Sequence, residues 1–93
     1  MRFEPLPSYI RSFKKLEPAV KDKVKNAVDK YVDFFEGGPR PEGLGIKRLS
    51  NHIWEIRVDL KIRVVFRLEK DLVQWGLVGS HDDIKRFLRA RPP

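Results

Sequence analysis

Four side chains in the second half of the chain could do chemistry on an anionic group. Arg57 and Arg63 carry planar guanidinium groups, which suit phosphate and carboxylate oxygens. Glu55 and His81 could each accept a proton, and a histidine titrates near neutral pH. These residues extend from position 55 to position 81, so they can act together only if the fold brings them to one surface.

The residues from Trp54 to Phe66 alternate between apolar and charged side chains, which is typical of strands with one buried face. Thirteen residues are long for a single strand, so we predict a hairpin with a three-residue turn at Asp59–Lys61. This turn length puts the apolar residues of both strands on one face. It also puts Arg57 directly opposite Arg63, where the like charges repel each other. Binding of an anion would relieve that repulsion.

The neighbouring strands are predicted to complete the surface around the two arginines. A two-residue turn at Lys70-Asp71 predicts that Phe66 pairs with Trp75, Val65 with Gly76, Val64 with Leu77, Arg63 with Val78 and Arg67 with Gln74. The missing side chain of Gly76 would leave room for a group to approach closely. On the other side of the hairpin, the predicted register puts Arg48 opposite Glu55, on the face of the arginines.

Two helices precede these strands in the predicted order. Apolar residues recur at helical spacing from Ile10 to Leu16 and, after Pro18, from Val20 to Phe35. Gly37-Gly38-Pro39 ends the second helix, because glycine supplies a C-cap and proline cannot continue the helix. Before the first helix, Arg2 to Pro5 could form a short strand that ends at the proline.

From Ile46 onwards the pattern alternates, and it becomes helical again near the end. The predicted strands are Ile46–Leu49, Ile53–Val58, Ile62–Leu68 and Leu72–Val78. A last helix follows, in which Ile84, Phe87 and Leu88 share one face. We therefore predict an α+β fold in one domain, 1–93, with two N-terminal helices packed on a four-stranded, mainly antiparallel twisted sheet and a short C-terminal helix.

Composition limits the partners and cofactors that can be expected. The formal net charge of +7 and the pI near 10.0 favour an anionic partner, such as nucleic acid or an acidic protein segment. Because the chain has no cysteine and only two histidines, we expect no metal and no other cofactor. No segment resembles a membrane span or a signal peptide, so we expect no membrane partner and a cytoplasmic location.

The order of several short motifs resembles one known family. After a helix that contains SFKKLEP come IKRL, IWEIRV, IRVVF and LVGSHD. From Phe3 to about Leu88, this arrangement resembles the RelE/ParE superfamily of toxins from type II toxin–antitoxin systems, in particular its RelE-like branch. The resemblance implies a ribosome-dependent endoribonuclease that cleaves messenger RNA, inhibits translation and is neutralised by a co-encoded antitoxin.

The resemblance also implies roles for individual residues. Arg63 stands where such toxins bind the scissile phosphate, Arg57 matches a supporting basic residue, and Glu55 is nearest to the glutamate that is the base in one subgroup. The implied RNA-binding cations are Lys47, Arg48, Lys61, Arg67, Lys85 and Arg86. Several RelE-type nucleases have a tyrosine in or before the last helix, whereas this chain has none after Tyr31.

The implied chemistry can be compared with the residues present. Attack of a ribose 2′-hydroxyl on the adjacent phosphate needs a proton acceptor, cations that stabilise the anionic transition state, and ideally an acid for the leaving 5′-oxygen. Glu55 or His81 could take the proton, so the general base stays open. The nuclease hypothesis further predicts that Arg57 and Arg63 are exposed together in a basic concavity.

Other interpretations of the same residues stay open. The charged face could simply be solvated, as is usual for a sheet with helices on one side. Ser80 followed by Asp83 is typical of a helix N-cap, and Trp54 and Trp75 fit the core better than base stacking. The alternative functions are a ParE-like inhibitor of DNA gyrase, with which the missing tyrosine is consistent, and a degenerate toxin that only binds its antitoxin.

Overall fold

The computed structural model describes residues 1–90, which form three helices and one five-stranded sheet. In chain order the elements are β1 (Arg2–Pro5), α1 (Pro7–Lys14), α2 (Pro18–Phe35), β2 (Ile46–Arg48), β3 (Ile53–Arg57), β4 (Arg63–Glu69), β5 (Leu72–Gly79) and α3 (His81–Ala90). The predicted α+β fold is confirmed. Arg91 to Pro93, at the end of the predicted domain, lie outside the described residues.

The order of strands in the sheet is β1-β5-β4-β3-β2. The opening strand β1 runs parallel to β5, and the other neighbouring strands are antiparallel. The sheet therefore has one strand more than predicted, because Arg2–Pro5 pairs along β5. In residues 1–90, no helix combines the length and the apolar character that a membrane crossing requires.

The main core lies between α2 and one face of the sheet. Its buried members are Val24, Tyr31, Ile56, Val64, Phe66, Val73, Trp75 and Val78. The Phe66 and Trp75 rings, which face each other across β4 and β5, are 5.3 Å apart between centroids. Burial of each large apolar side chain contributes roughly 1.5–3 kcal/mol. As predicted, α2 begins at Pro18 and ends before Gly37, whose φ of +101° is left-handed.

The β3–β4 hairpin has the predicted three-residue turn. The Val58 amide donates to the Ile62 carbonyl at 2.9 Å, which closes the turn. Inside it, the Asp59 carboxylate accepts from the Lys61 and Ile62 amides at 2.8 and 2.7 Å. These backbone hydrogen bonds lower the pKa of Asp59. The turn fixes the register, so Arg57 lies opposite Arg63, as predicted.

The β4–β5 register agrees with the prediction only near its turn. Phe66 pairs with Trp75 and Arg67 with Gln74, as predicted, but the register then shifts at a β-bulge. The observed pairs beyond the bulge are Val65 with Leu77, Val64 with Val78 and Arg63 with Gly79. The three predicted pairs there are wrong because Gly76 is an extra residue in β5 that pairs with none.

The edge of β5 beyond β1 is covered by α1. Strand β1 ends at Pro5, after which the Leu6 amide still donates to the Trp75 carbonyl at 2.9 Å. Helix α1 then continues along β5: the Ser8 hydroxyl donates to the Gly76 carbonyl, and the Ser12 hydroxyl accepts from the Val78 amide at 3.1 Å. Two serine side chains thus satisfy backbone groups that have no strand partner.

Helix α3 packs on the opposite face of the sheet from α2. Ile84 and Val65 are each 2% exposed, and neither belongs to the main core. The Phe87 ring lies 3.4 Å from the position that a Cβ on Gly76 would occupy. The room predicted beside Gly76 is therefore filled by this ring. The second face is therefore solvated only in part: α3 covers its centre, while Lys61 and Arg67 are exposed, as the solvated interpretation predicts.

Candidate functional site

The fold brings Glu55, Arg63 and His81 into one chain of contacts. Arg63 Nη1 donates to Glu55 Oε2 at 3.0 Å, and the same nitrogen lies 3.3 Å from His81 Nδ1. Adjacent strands supply the glutamate and the arginine, and the histidine is the first residue of α3. Three of the four residues predicted to do chemistry are thus in contact.

Arg57 completes the group at the end of β3. It lies opposite Arg63, is exposed, and makes no ion pair or side-chain hydrogen bond with any residue from 1 to 90. Because Glu55 neutralises Arg63, the predicted repulsion between the two arginines is relieved within the protein. The register alone therefore no longer requires an anionic ligand, and Arg57 is the member of the pair that is available to one.

The contact between Glu55 and Arg63 is a buried ion pair. The glutamate side chain is 6% exposed and the arginine side chain 15%. The prediction that both arginines are exposed is consequently wrong for Arg63, because α3 covers this part of the sheet. Arg63 Nε is buried and has no partner among residues 1–90. The guanidinium is thus held through Nη1, without the bidentate pairing that an arginine and a carboxylate can form.

The start of α3 fixes the position of His81. The Ser80 hydroxyl accepts from the Asp83 amide at 3.1 Å, and the Asp83 carboxylate accepts from the Ser80 amide at 2.9 Å. This reciprocal cap confirms the N-cap interpretation. The same hydrogen bonds lower the pKa of Asp83, the backbone bond most strongly. His81 follows the cap directly and is exposed, so capping and a role in the site are compatible.

Sequence reasoning missed Gly79, which lies opposite Arg63 because of the bulge. A Cβ at Gly79 would stand 2.7 Å from Asp83 Oδ2 and 2.9 Å from Asp83 Cβ. No side chain fits there without displacement of the cap. The signal in the sequence is the dipeptide Gly79-Ser80 before an acidic first turn, which marks a tight passage from strand to helix.

Four of the six implied RNA-binding cations lie on the turn, strand or helix next to the site. Lys47 is opposite Glu55 and lines a shallow depression with Gly45 and Arg57. Lys61 is exposed in the β3–β4 turn. Lys85 is exposed four residues after His81, on the same side of α3, whereas the neighbouring Arg86 pairs with Asp83.

The other two cations also belong to β2 and β4 but lie away from the site, Arg48 opposite Trp54 and Arg67 near the other end of β4. The predicted Arg48 register is wrong by one residue: Arg48 is opposite Trp54, because Ile46 pairs with Ile56 on the core face. Its guanidinium lies 6.0 Å from the centroid of the half-buried Trp54 ring, and it donates to two loop carbonyls at 3.1 Å. Trp75 is 4% exposed, so this tryptophan is a core residue as predicted.

Arg67 lies at the far end of β4 from Arg63. Its Nε donates to Glu69 Oε1 at 2.6 Å, and His52 Nδ1 lies 3.8 Å from the other oxygen of that carboxylate. Beside it, a groove of about 770 Å³ is lined by Leu49, Ile53, Val65, Gln74, Phe87 and Leu88, among others. Residues 1–90 contain no group of three His, Cys, Asp or Glu side chains arranged to hold a metal ion.

Solved structures of similar fold are toxins of toxin–antitoxin systems. The RelB–RelE antitoxin–toxin complex from Methanococcus jannaschii matches at a TM-score of 0.70 and 12% identity, over 90% of this chain and 96% of that chain. The Escherichia coli DinJ–YafQ complex matches at 0.72 and 16%, over 88% and 93%. The Pyrococcus horikoshii RelE–RelB complex matches at 0.64 and 14%, over 85% and 92%. No family model and no curated protein sequence matches this chain.

Proposed function

We propose that this chain, which has the fold of the RelE and YafQ toxins, is the toxin of a type II toxin–antitoxin system. Its activity is ribosome-dependent cleavage of messenger RNA in the cytoplasm, which inhibits translation. The observation that carries the proposal is the contact of Arg63 with both Glu55 and His81, beside an exposed Arg57. A purely structural ion pair would need neither the histidine nor the second arginine.

These residues suit cleavage by the ribose 2′-hydroxyl. In that reaction the 2′-hydroxyl loses its proton to water as its oxygen bonds to phosphorus, the bond from phosphorus to the 5′-oxygen breaks, and the 5′-oxygen takes up a proton. Negative charge accumulates on the phosphate oxygens in the transition state. The exposed Arg57 supplies positive charge there, and Arg63 holds the exposed His81 on the same surface. No step requires a metal ion.

The proposed partner besides RNA is a co-encoded antitoxin. The similar RelE and YafQ structures include complexes with RelB and DinJ, which supports such a partner. The net charge of +7 and the unpaired Arg57 favour acidic residues on its contact surface. The antitoxin would inhibit by covering charge that otherwise attracts RNA.

The first test is induced expression of the protein without an antitoxin, followed by mapping of new 5′ ends in messenger RNA. Arg57→Ala is the most informative variant, because this side chain is exposed and its removal breaks no ion pair or side-chain hydrogen bond within residues 1–90. Lys70→Ala is the matched control, since it removes the same charge from the β4–β5 turn. We expect new 5′ ends within translated codons, strongly reduced by Arg57→Ala and unchanged by Lys70→Ala.

Three other outcomes would overturn the proposal, each in a different way. Equal cleavage by the Arg57→Ala variant would show that the site is assigned incorrectly. Growth arrest with intact messenger RNA and an induced DNA-damage response would indicate a gyrase inhibitor. Normal growth on expression without antitoxin would indicate a degenerate toxin. Purified protein with and without ribosomes then tests whether cleavage depends on the ribosome.

A further inference from the structure

The contact between Arg63 and His81 fixes where the histidine can carry its proton. An arginine side chain has five N–H donors and no acceptor. The 3.3 Å contact from Arg63 Nη1 to His81 Nδ1 is therefore a hydrogen bond only when Nδ1 carries no proton. The proton of the neutral ring then lies on Nε2, on the far side of an exposed side chain.

We propose that Glu55 is a positioning residue that acts through Arg63 on His81. Glu55 holds Arg63 Nη1, Nη1 donates to Nδ1 of the histidine, and the histidine consequently presents Nε2–H to an anionic ligand. His81 and Arg57 together then bind phosphate oxygens of an RNA strand. The identity of this ligand rests on the proposed function, whereas the state of the ring does not.

The burial of Glu55 argues against its candidate role as general base. A base must come within about 2.6–3.2 Å of the proton that it accepts, directly or through one water. The whole Glu55 residue is only 4% exposed, and its Oε2 already accepts a hydrogen bond from Arg63. In the proposed tautomer His81 is not the base either, because Nε2 already carries a proton.

The way in which Arg63 is held supports positioning over simple charge neutralisation. A bidentate pair would use two guanidinium nitrogens and leave neither unsatisfied. Here one nitrogen serves both Glu55 and His81, while the buried Nε has no partner among residues 1–90. Because Glu55 and His81 share one guanidinium nitrogen, the ion pair that holds Arg63 also fixes its contact with the histidine.

The direct test is ¹⁵N NMR of the histidine side chains at about pH 8.5, where an ordinary histidine is neutral. His52 provides an internal reference, because it is the second histidine and lies at the far end of the same sheet face. We expect His81 as the Nε2–H tautomer alone in the native protein and in Glu55→Gln, since glutamine can still accept from Arg63. A mixture of tautomers for native His81 would overturn the inference.

The Glu55→Gln/Arg63→Met double variant removes the contact without leaving a buried charge unpaired. We expect its His81 to become a mixture of both tautomers, while His52 stays unchanged. If the folded double variant keeps the native His81 spectrum, Arg63 does not control the ring and the inference is wrong.

RNA cleavage by Glu55→Gln separates positioning from base catalysis. Loss of a general base lowers a rate by about 10²- to 10⁴-fold, whereas a positioning role predicts less than about a tenfold loss for this conservative variant. A loss in the larger range would overturn the inference. If the native protein cleaves no RNA while the His81 tautomer responds as expected, the proposed function fails and the positioning inference holds.

Discussion

The two ends of strand β4 hold the same kind of ion pair in opposite surroundings. At one end, Arg63 pairs with Glu55 at 3.0 Å, with side chains that are 15% and 6% exposed. At the other end, Arg67 pairs with Glu69 at 2.6 Å, with side chains that are 47% and 38% exposed. The shorter contact is the less consequential one, because solvent screens an exposed pair and leaves a buried one almost unscreened.

The difference arises from the path of α3 over the sheet. The helix begins beside Arg63 with a capped first turn and covers Val65 in the middle of β4. Arg67 lies beyond the helix, where a groove leaves it exposed. The Arg63–Glu55 pair is therefore buried and held in one position, whereas the Arg67–Glu69 pair is an ordinary surface ion pair.

The largest expected effect comes from breaking the buried pair. Arg63→Met leaves the Glu55 carboxylate buried and unpaired, so we expect the free energy of unfolding to fall by about 3–5 kcal/mol. Urea denaturation measures the loss. The Glu55→Gln/Arg63→Met double variant should recover most of it. A loss below about 1 kcal/mol for Arg63→Met would mean that the pair is effectively solvated and that the comparison fails.

A substitution at Gly79 tests how closely the site end is packed. Gly79→Ala would place a Cβ 2.7 Å from Asp83 Oδ2, so we expect a loss of about 1–3 kcal/mol in the free energy of unfolding. Gly76→Ala is the matched control, because its Cβ would meet Phe87 and the Val65 carbonyl at an ordinary 3.4 Å. Equal losses in thermal or urea unfolding would contradict the tighter packing at Gly79, beside Arg63, than at Gly76 in the middle of the sheet.

The α3 cap should contribute stability that depends on pH. Ser80 lowers the pKa of Asp83 in the folded protein, so the carboxylate stabilises the fold above its unfolded pKa of about 3.9. The contribution is lost as the pH falls through the lower folded-state pKa. Asp83→Asn should therefore cost about 1 kcal/mol at pH 7 and less at acidic pH.

Urea denaturation at several pH values measures this dependence. Asp82→Asn is the control, since its exposed carboxylate lies in the same helical turn without a hydrogen bond to Ser80. A difference between the native protein and Asp83→Asn that grows as the pH falls would have the wrong sign.

The smallest effect is expected at the exposed pair. Arg67→Ala should change the free energy of unfolding by no more than about 1 kcal/mol, and the change should shrink in high salt. Urea denaturation in low and high salt measures the change in the free energy of unfolding and its dependence on salt. A loss as large as that of Arg63→Met would show that burial does not separate the two pairs.

Much of the fold could be predicted from the sequence, because the alternation of apolar and charged residues and the number of residues in a turn together fix the strand register. The β3–β4 register was predictable, since only an odd turn puts all the apolar residues from Trp54 to Phe66 on one face. The bulge in β5 could not be predicted, because Leu77 and Val78 are both apolar and either could face the core. The β2 register failed for a similar reason: Ile46 and Leu49 compete for the core, and the strand is too short to decide.

For the candidate site, the sequence indicated which residues to consider but not how deeply each of them is buried. The predicted hairpin register put Glu55, Arg57 and Arg63 on one face, whereas His81 was a candidate by residue type alone and its contact with Arg63 is shown by the structure. The burial of Glu55 could not be inferred, because it depends on the face that α3 covers, and helix periodicity shows only which side of the helix is apolar. The prediction that both arginines are exposed failed for the same reason.

The bulge at Gly76 determines how strand β5 would respond to the loss of one residue. Gly76 is the residue of β5 that pairs with no residue of β4, so its deletion would preserve the cross-strand pairs on both sides. Deletion of Leu77 would keep Gly79 opposite Arg63 only if Gly76 took the place of Leu77 opposite Val65, so that pair would lose a side chain. A bulge also bends and twists its strand, so a chain without Gly76 would keep its pairing while α3 starts from a differently directed strand. The position of the histidine thus depends on how many residues β5 contains as well as on which residues they are.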